Sequence, residues 1–194
     1  MIYKKTQKIR HWIVKLIAPI LYEWANKYYE SPRPMIRVMG AKFQDKEITG
    51  VEIGVAAGEN ANTILSFLNI EKIYLIDPYV GRPDMMLEVK NYLKKFGKKI
   101  VFITKNSLEA VGDIPDNLDF IYIDGNHDYE FIKDDIRLYY DKVRSGGVFG
   151  GHDFSPDYPG VIQAVEELAQ EKKLKLCGEK TLDMKKSDWW VIKP

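Results

Sequence analysis

The side chains best able to do chemistry gather in short polar stretches, each directly behind an apolar run. Val51-Glu52-Ile53-Gly54-Val55-Ala56-Ala57-Gly58 ends in glycines, Ile73 to Ile76 runs into Asp77, and Ile100 to Thr104 is followed by Asn106-Ser107. Leu118 to Ile123 leads into Asp124-Gly125-Asn126-His127-Asp128, and Val148 to Gly151 leads into His152-Asp153. Two of the three histidines fall in this set. Glycines at a strand end let the backbone turn sharply and approach a ligand, and a helix start beyond them presents unpaired N–H groups. Gly54 and Gly58 have three residues between them and lack the middle glycine of G-x-G-x-x-G, which brings backbone onto a pyrophosphate. A ligand with ribose and adenine but no phosphate fits the loop better. Asp77 follows at roughly the 20-residue distance of a ribose-binding acid. The plainer alternatives are a simple turn at the glycines and a helix cap at Ser107, His127 or Asp128.

These stretches need a scaffold that brings strand ends together. Strands are predicted at Ile48–Gly54, Lys72–Ile76, Ile100–Thr104, Leu118–Ile123 and Val148–Gly151, from apolar and β-branched runs. Helices are predicted between them at Asn60–Leu68, at Asp84–Phe96 up to Gly97, at Tyr129–Val143 up to Ser145-Gly146-Gly147, and beyond Gly160. Such alternation implies an α/β fold with a mostly parallel sheet covered on both faces, whose ligands sit at the carboxyl ends of the strands. Leu174–Gly178 and Trp189–Ile192 have no helix between them and close the chain as an antiparallel hairpin, with Cys177 as a core thiol.

Residues 1–34 read as an N-terminal amphipathic helical extension to a domain over 35–194. Lys4, Lys5, Lys8, Arg10 and Lys15 interleave at helical spacing with Ile9, Trp12, Ile13, Leu16 and Ile17, with a break at Pro19. A basic helix bearing tryptophan suits an anionic membrane surface, a homodimer seam or a cover over the domain. No apolar run approaches the ~18 residues of a membrane span, and no leader is expected. The net charge of +1 argues against a nucleic-acid partner. A single cysteine excludes an intrachain disulfide and places the chain in a reducing, cytoplasmic compartment.

The sequence also resembles a known family. Val51–Gly58 is similar to the first motif of class I S-adenosylmethionine-dependent methyltransferases, and Ile73-Tyr74-Leu75-Ile76-Asp77-Pro78-Tyr79 to the second. Asp119 to Tyr129 and Ser145 to Phe154 resemble a subgroup that includes small-molecule and sugar O-methyltransferases. The resemblance covers roughly residues 48–194 and implies a Rossmann-like sandwich with a seven-stranded sheet and S-adenosyl-L-methionine as methyl donor. It implies cofactor contacts at Glu52, Gly54, Gly58, Asp77, Asn106 or Ser107, and Asp124. In the catechol-type branch, residues at the places of Asp124, His152 and Asp153 bind a divalent cation. His152 stands where an oxygen ligand is usual, which suits manganese, iron or zinc better than magnesium. His127 holds the place of a catalytic lysine and, with a pKa near ~6.5, can take a hydroxyl proton; His152 can do so if it is not a ligand. The implied acceptor is a small-molecule or sugar hydroxyl. An NAD(P)-dependent oxidoreductase and a silent methyltransferase-like binding protein are the alternatives.

Overall fold

The computed structural model describes residues 32–178, 180–183 and 186–194. The helix read over residues 3–29, with its membrane and dimer roles, lies outside the described residues. The compact unit that they form begins at Arg33.

Helix α1 (Pro34–Phe43) leads into strand β1 (Ile48–Ile53), followed by α2 (Glu59–Phe67), β2 (Ile70–Ile76), α3 (Pro83–Leu93) and β3 (Ile100–Ile103). The second half runs α4 (Ser107–Ala110), β4 (Leu118–Ile123), α5 (Tyr129–Tyr139), β5 (Val143–Gly151), α6 (Pro159–Glu171), β6 (Cys177–Gly178) and β7 (Trp189–Ile192). The strands form one seven-stranded sheet in the order β3-β2-β1-β4-β5-β7-β6. Its first five strands are parallel, while β7 runs antiparallel to both β5 and β6. The closing hairpin is thus present, and β7 rather than β6 docks on the parallel part.

Period-2 alternation sorts the strand side chains into two cores. Val51, Ile53, Ile121, Ile123 and Phe149 pack under α5 and α6 with Ile132, Ile136, Val161 and Val165. Phe120, Tyr122, Leu75 and Val148 pack on the other face, with Met35, Ile36 and Met39 of α1 and with Ile64 and Leu93. Glu52 alternates with Val51 and Ile53, so a carboxyl is buried completely on the α1 side.

Several local expectations are corrected. Ser145-Gly146-Gly147 does not end a helix: α5 stops at Tyr139, Tyr140–Lys142 makes a 3₁₀ turn, and the glycines lie inside β5 beside a register shift against β4. Helix α3 ends at Leu93, and the stretch Lys94–Lys99 is 3₁₀ with a break at Gly97. Cys177 is only partly buried, because β6 is a two-residue edge strand and not a core strand from Leu174.

Candidate active site

The glycine loop is held together by Asp77. Its Oδ2 accepts from the N–H groups of Val55 (3.1 Å) and Ala56 (2.9 Å), and its Oδ1 from that of Tyr79 (2.9 Å). The Tyr79 hydroxyl closes the loop from above by donating to the Ala56 carbonyl at 3.2 Å. Asp77 is therefore a loop organiser in its own right, and Oδ1 retains a lone pair for a ligand hydroxyl. Gly54 is required for a reason internal to the chain. At φ 85° a Cβ would stand 2.0 Å from the Asp124 carbonyl, so the loops after β1 and β4 touch only because residue 54 has none.

Beneath the loop, Glu52 Oε1 accepts from Asn60 Nδ2 at 3.0 Å, whereas Oε2 is buried with no hydrogen-bond partner. Burial pushes the Glu52 carboxyl up to about 8. An orphaned acceptor below a strand-to-helix turn suits a ligand's ammonium or hydroxyl group. Farther along the strand ends, Asn106 caps α4, its Oδ1 accepting from Glu109 N–H at 2.9 Å. The cap is Asn106 and not Ser107. The Ser107 carbonyl accepts from the Tyr139 hydroxyl at 2.7 Å, and Asp135 lies buried nearby with its carboxyl raised to about 6 by burial, against a hydrogen bond from Ser107.

The loops after β4 and β5 bring Asp124, His127, His152 and Asp153 together. His127 Nε2 lies 2.5 Å from Asp153 Oδ2, and its ring packs on Tyr158 with centroids 4.4 Å apart. His152 is almost wholly buried, with Nδ1 2.9 Å from Asp153 Oδ1 and 3.8 Å from Asp124 Oδ1, and with Nε2 3.2 Å from Ser187 Oγ. Asp153 takes a left-handed backbone conformation, φ 59°, that L residues adopt at a cost, and so turns its carboxylate inward between the two imidazoles. Its contact with Asp153 raises the His127 pKa above the ordinary imidazole value. Burial works against protonating His152, but the neighbouring carboxylates outweigh it and raise that pKa also. Burial would raise Asp153 itself, yet the two histidines hold it well below the ordinary carboxyl range.

Asp124, His152 and Asp153 each offer one ligand atom, all within 4.8 Å of one another. Asp153 Oδ1 is buried and receives no hydrogen bond despite its nearness to His152 Nδ1, so the two atoms are not aligned as donor and acceptor. Such a mixed nitrogen and oxygen set with an unsatisfied carboxylate oxygen fits a borderline divalent cation.

The cluster extends to residues that sequence reasoning passed over. Arg33 Nη1 donates to Asp124 Oδ2 at 2.7 Å and to the Tyr122 hydroxyl at 3.1 Å. Tyr122 in turn donates to Asp188 Oδ1 at 2.7 Å, and Asp188 Oδ2 accepts from Met35 N–H at 2.9 Å. Asp128 stands at the α5 cap position without a side-chain bond, and its N–H is held by Asn126 Oδ1 at 2.9 Å, so the cap alternative for Asp128 is not realised. A cleft of about 360 Å³ opens beside His127, lined by Asn126, Asp128, Asp157 and Tyr158.

A methyltransferase-domain family model matches residues 51–154, which run from the start of the glycine loop to just past Asp153. The chain belongs to that methyltransferase family. Its seven-stranded fold is that of class I S-adenosylmethionine-dependent methyltransferases, which sets aside the NAD(P) alternative. Among curated proteins it is 26% identical over 139 residues to uncharacterized protein R132 of Acanthamoeba polyphaga mimivirus, covering 66% of this chain and 62% of the relative. The chain thus spans less than two thirds of that relative. Solved structures with the same fold include a putative caffeoyl-CoA O-methyltransferase from Staphylococcus aureus (TM-score 0.65, 18% identity, 100% of each chain covered). An O-methyltransferase from Bacillus cereus in complex with SAH matches equally well (TM-score 0.65, 14% identity, 95% of this chain and 97% of that one). Spermidine synthase from Thermotoga maritima shares the fold too (TM-score 0.57, 17% identity, 78% of this chain and 55% of that one), so the architecture alone does not select the acceptor.

Among the described residues, no helix is long and apolar enough to cross a membrane.

Proposed function

We propose that this methyltransferase acts on a hydroxyl of a small, sugar-like acceptor, with His127 as the base and a divalent cation at Asp124, His152 and Asp153. The observation that carries the reading is the contact of half-exposed His127 with buried Asp153, at the mouth of a cleft formed by the segments after β4 and β5. Carboxylates at Asp128 and Asp157, the Asn126 amide and the Tyr158 ring give that cleft the hydrogen-bonding groups and aromatic face that suit a polyhydroxylated molecule.

S-Adenosylmethionine, when bound, would supply an activated methyl group for the acceptor oxygen and leave as the thioether. The protein's share is positioning and proton removal. Asp77 fixes the loop that carries the donor, Glu52 Oε2 takes up a polar group of it, and the α2 N-terminus favours its carboxylate. His127 takes the hydroxyl proton, its ring lying between the Asp153 carboxylate and the Tyr158 ring. His152 is too enclosed to meet an acceptor and is assigned as a ligand. A cation held by Asp124, His152 and Asp153 would supply charge that eases hydroxyl ionisation, and the imidazole favours manganese, iron or zinc over magnesium.

The test is methyl transfer from labelled donor to a panel of hydroxylated small molecules, with His127→Gln alongside calorimetry using S-adenosylhomocysteine. Loss of kcat by about 10²–10⁴-fold at unchanged product affinity supports the base role; full activity of His127→Gln refutes it. Failure of the unmodified protein to bind S-adenosylhomocysteine, with Gly58→Arg as the negative control, would count against the placement of the donor.

A further inference from the structure

Asp124 divides its two oxygens between opposite partners. Oδ1 faces His152 Nδ1 at 3.8 Å, on the side of the candidate cation ligands, while Oδ2 is held by Arg33 at 2.7 Å. The guanidinium is not loosely placed. It is three-quarters buried, also donates to Tyr122, and Tyr122 is anchored through Asp188 to the first turn of α1. Swinging it away would leave a partly buried carboxylate without its ion partner and the buried Tyr122 oxygen without its donor. Among the described residues it is the one permanent cation in contact with this cluster of Asp124, Asp153 and Asp188, the other positive charge coming from His127 and His152.

We infer that Arg33 is a built-in cation that sets the metal affinity of this site, leaving Asp124 only Oδ1 to offer and repelling a second positive charge beside it. The inference rests on the cation reading of Asp124, His152 and Asp153. A dication ligated by Oδ1 would stand on the far side of one carboxylate from the guanidinium, close enough in a poorly solvated site for repulsion to count. One of the two carboxylate oxygens is already engaged by a charge-assisted bond that needs no ion. The site therefore holds a divalent cation loosely and exchanges it, and Arg33 keeps Asp124 in place when the ion is gone.

The two roles of Arg33 predict opposite signs. If the guanidinium competes by charge, removing it tightens metal binding; if it only orients Asp124, removing it loosens binding. Manganese(II) titration followed by electron paramagnetic resonance would be run on the full chain and on Arg33→Gln, Arg33→Met and Arg33→Lys. Gln keeps a donor without charge, and Lys keeps the charge without the fork. Expected are at least tenfold tighter manganese binding in Arg33→Gln and Arg33→Met, near-unchanged binding in Arg33→Lys, and loss of the site in Asp124→Asn. Thermal melts establish that each variant is folded, and Gln carries the test should Met fail to fold. Equal or weaker binding in Arg33→Gln, or Lys and Gln shifting alike, overturns the inference while leaving the cation reading intact. Absence of bound manganese from both the unmodified chain and Arg33→Gln overturns both.

Discussion

Glu52 concentrates the conflict between folding and ligand binding in one side chain. Its strand neighbours are apolar on both sides, and one carboxylate oxygen is left with no partner in a fully buried place. Burial raises its pKa to about 8 against an ordinary value near 4.5. The folded state then binds the proton more tightly than the unfolded chain. The stabilisation is fully present below about 4.5, drains as the pH rises, and is gone above about 8. Each pKa unit is worth ~1.4 kcal/mol, so the span is on the order of a few kcal/mol. Glu52→Gln has no proton to lose, so its melting temperature should fall less than that of the unmodified protein between pH 5 and pH 8. Asp135 titrates in the same window but is common to both proteins and cancels. A melting-temperature difference that stays flat over that window would contradict the burial argument. Asp135 was findable in principle, since a carboxylate between Ile132 and Ile136 sits on the apolar stripe of α5. Arg33 was not, because nothing local to Ser31-Pro32-Arg33-Pro34 signals a partner 91 positions away.

At the scale of elements, the polar chain Arg33–Tyr122–Asp188–Met35 couples α1, β4 and the approach to β7. Tyr122→Phe removes the donor to Asp188 and the acceptor for Arg33 while keeping the ring volume. A loss of about 1–3 kcal/mol in denaturant unfolding is expected, as for a buried carboxylate left unsatisfied; a change below about 0.5 kcal/mol would mean that the network contributes nothing net. Helix α1 itself was hidden by its first residue. Pro34 reads as an interruption, yet proline is at home in the first turn, and Met35, Ile36, Met39 and Phe43 trace the buried stripe behind it. The parallel strands were legible, because a strand covered on both faces is apolar at nearly every position whichever partner it finds. The early part of β5 was not: Arg144-Ser145-Gly146-Gly147 has the composition of a turn, and it forms the irregular stretch where the β4–β5 register shifts, tied to Lys193 just beyond β7 through the Gly146 N–H and the Gly147 carbonyl. The candidate site followed the same division. Residues just beyond a strand's carboxyl end could be named from their neighbours, while those brought in from α1 and the β7 approach depended on tertiary contact.

At the largest scale, the candidate site residues gather at one edge of the sheet. The loops after β1, β2, β4 and β5 meet at the carboxyl edge, and two close approaches make this possible: Gly54 against the Asp124 carbonyl and Gly160 against the backbone of His127 and Tyr129. Both pairs join donor loop to β4 loop to β5 loop, so the site is continuous from Asp77 to Tyr158. Strands β1 and β4 lie at the centre with parallel partners on both sides, whereas β3 and the two-residue β6 are edges. Backbone amides of β1 and β4 should therefore exchange slowest and those of β6 fastest, since exchange tracks the free energy of local opening. Ligand adds a second contrast. Asp77 already holds the N–H groups of Val55, Ala56 and Tyr79, so saturating S-adenosylhomocysteine should slow exchange chiefly at the unpaired amides where α2 begins, beyond Gly58. Protection should spread to His127 and Tyr158 only when cation or acceptor is added, because the donor loop reaches them through Gly54 and Asp124 and not directly. Hydrogen–deuterium exchange with S-adenosylhomocysteine, with manganese and with both separates these layers. Protection of the Tyr158 segment by S-adenosylhomocysteine alone would show that donor and acceptor loops move as one body, and would shift the weight of acceptor recognition from the cleft beside His127 to closure of the whole edge.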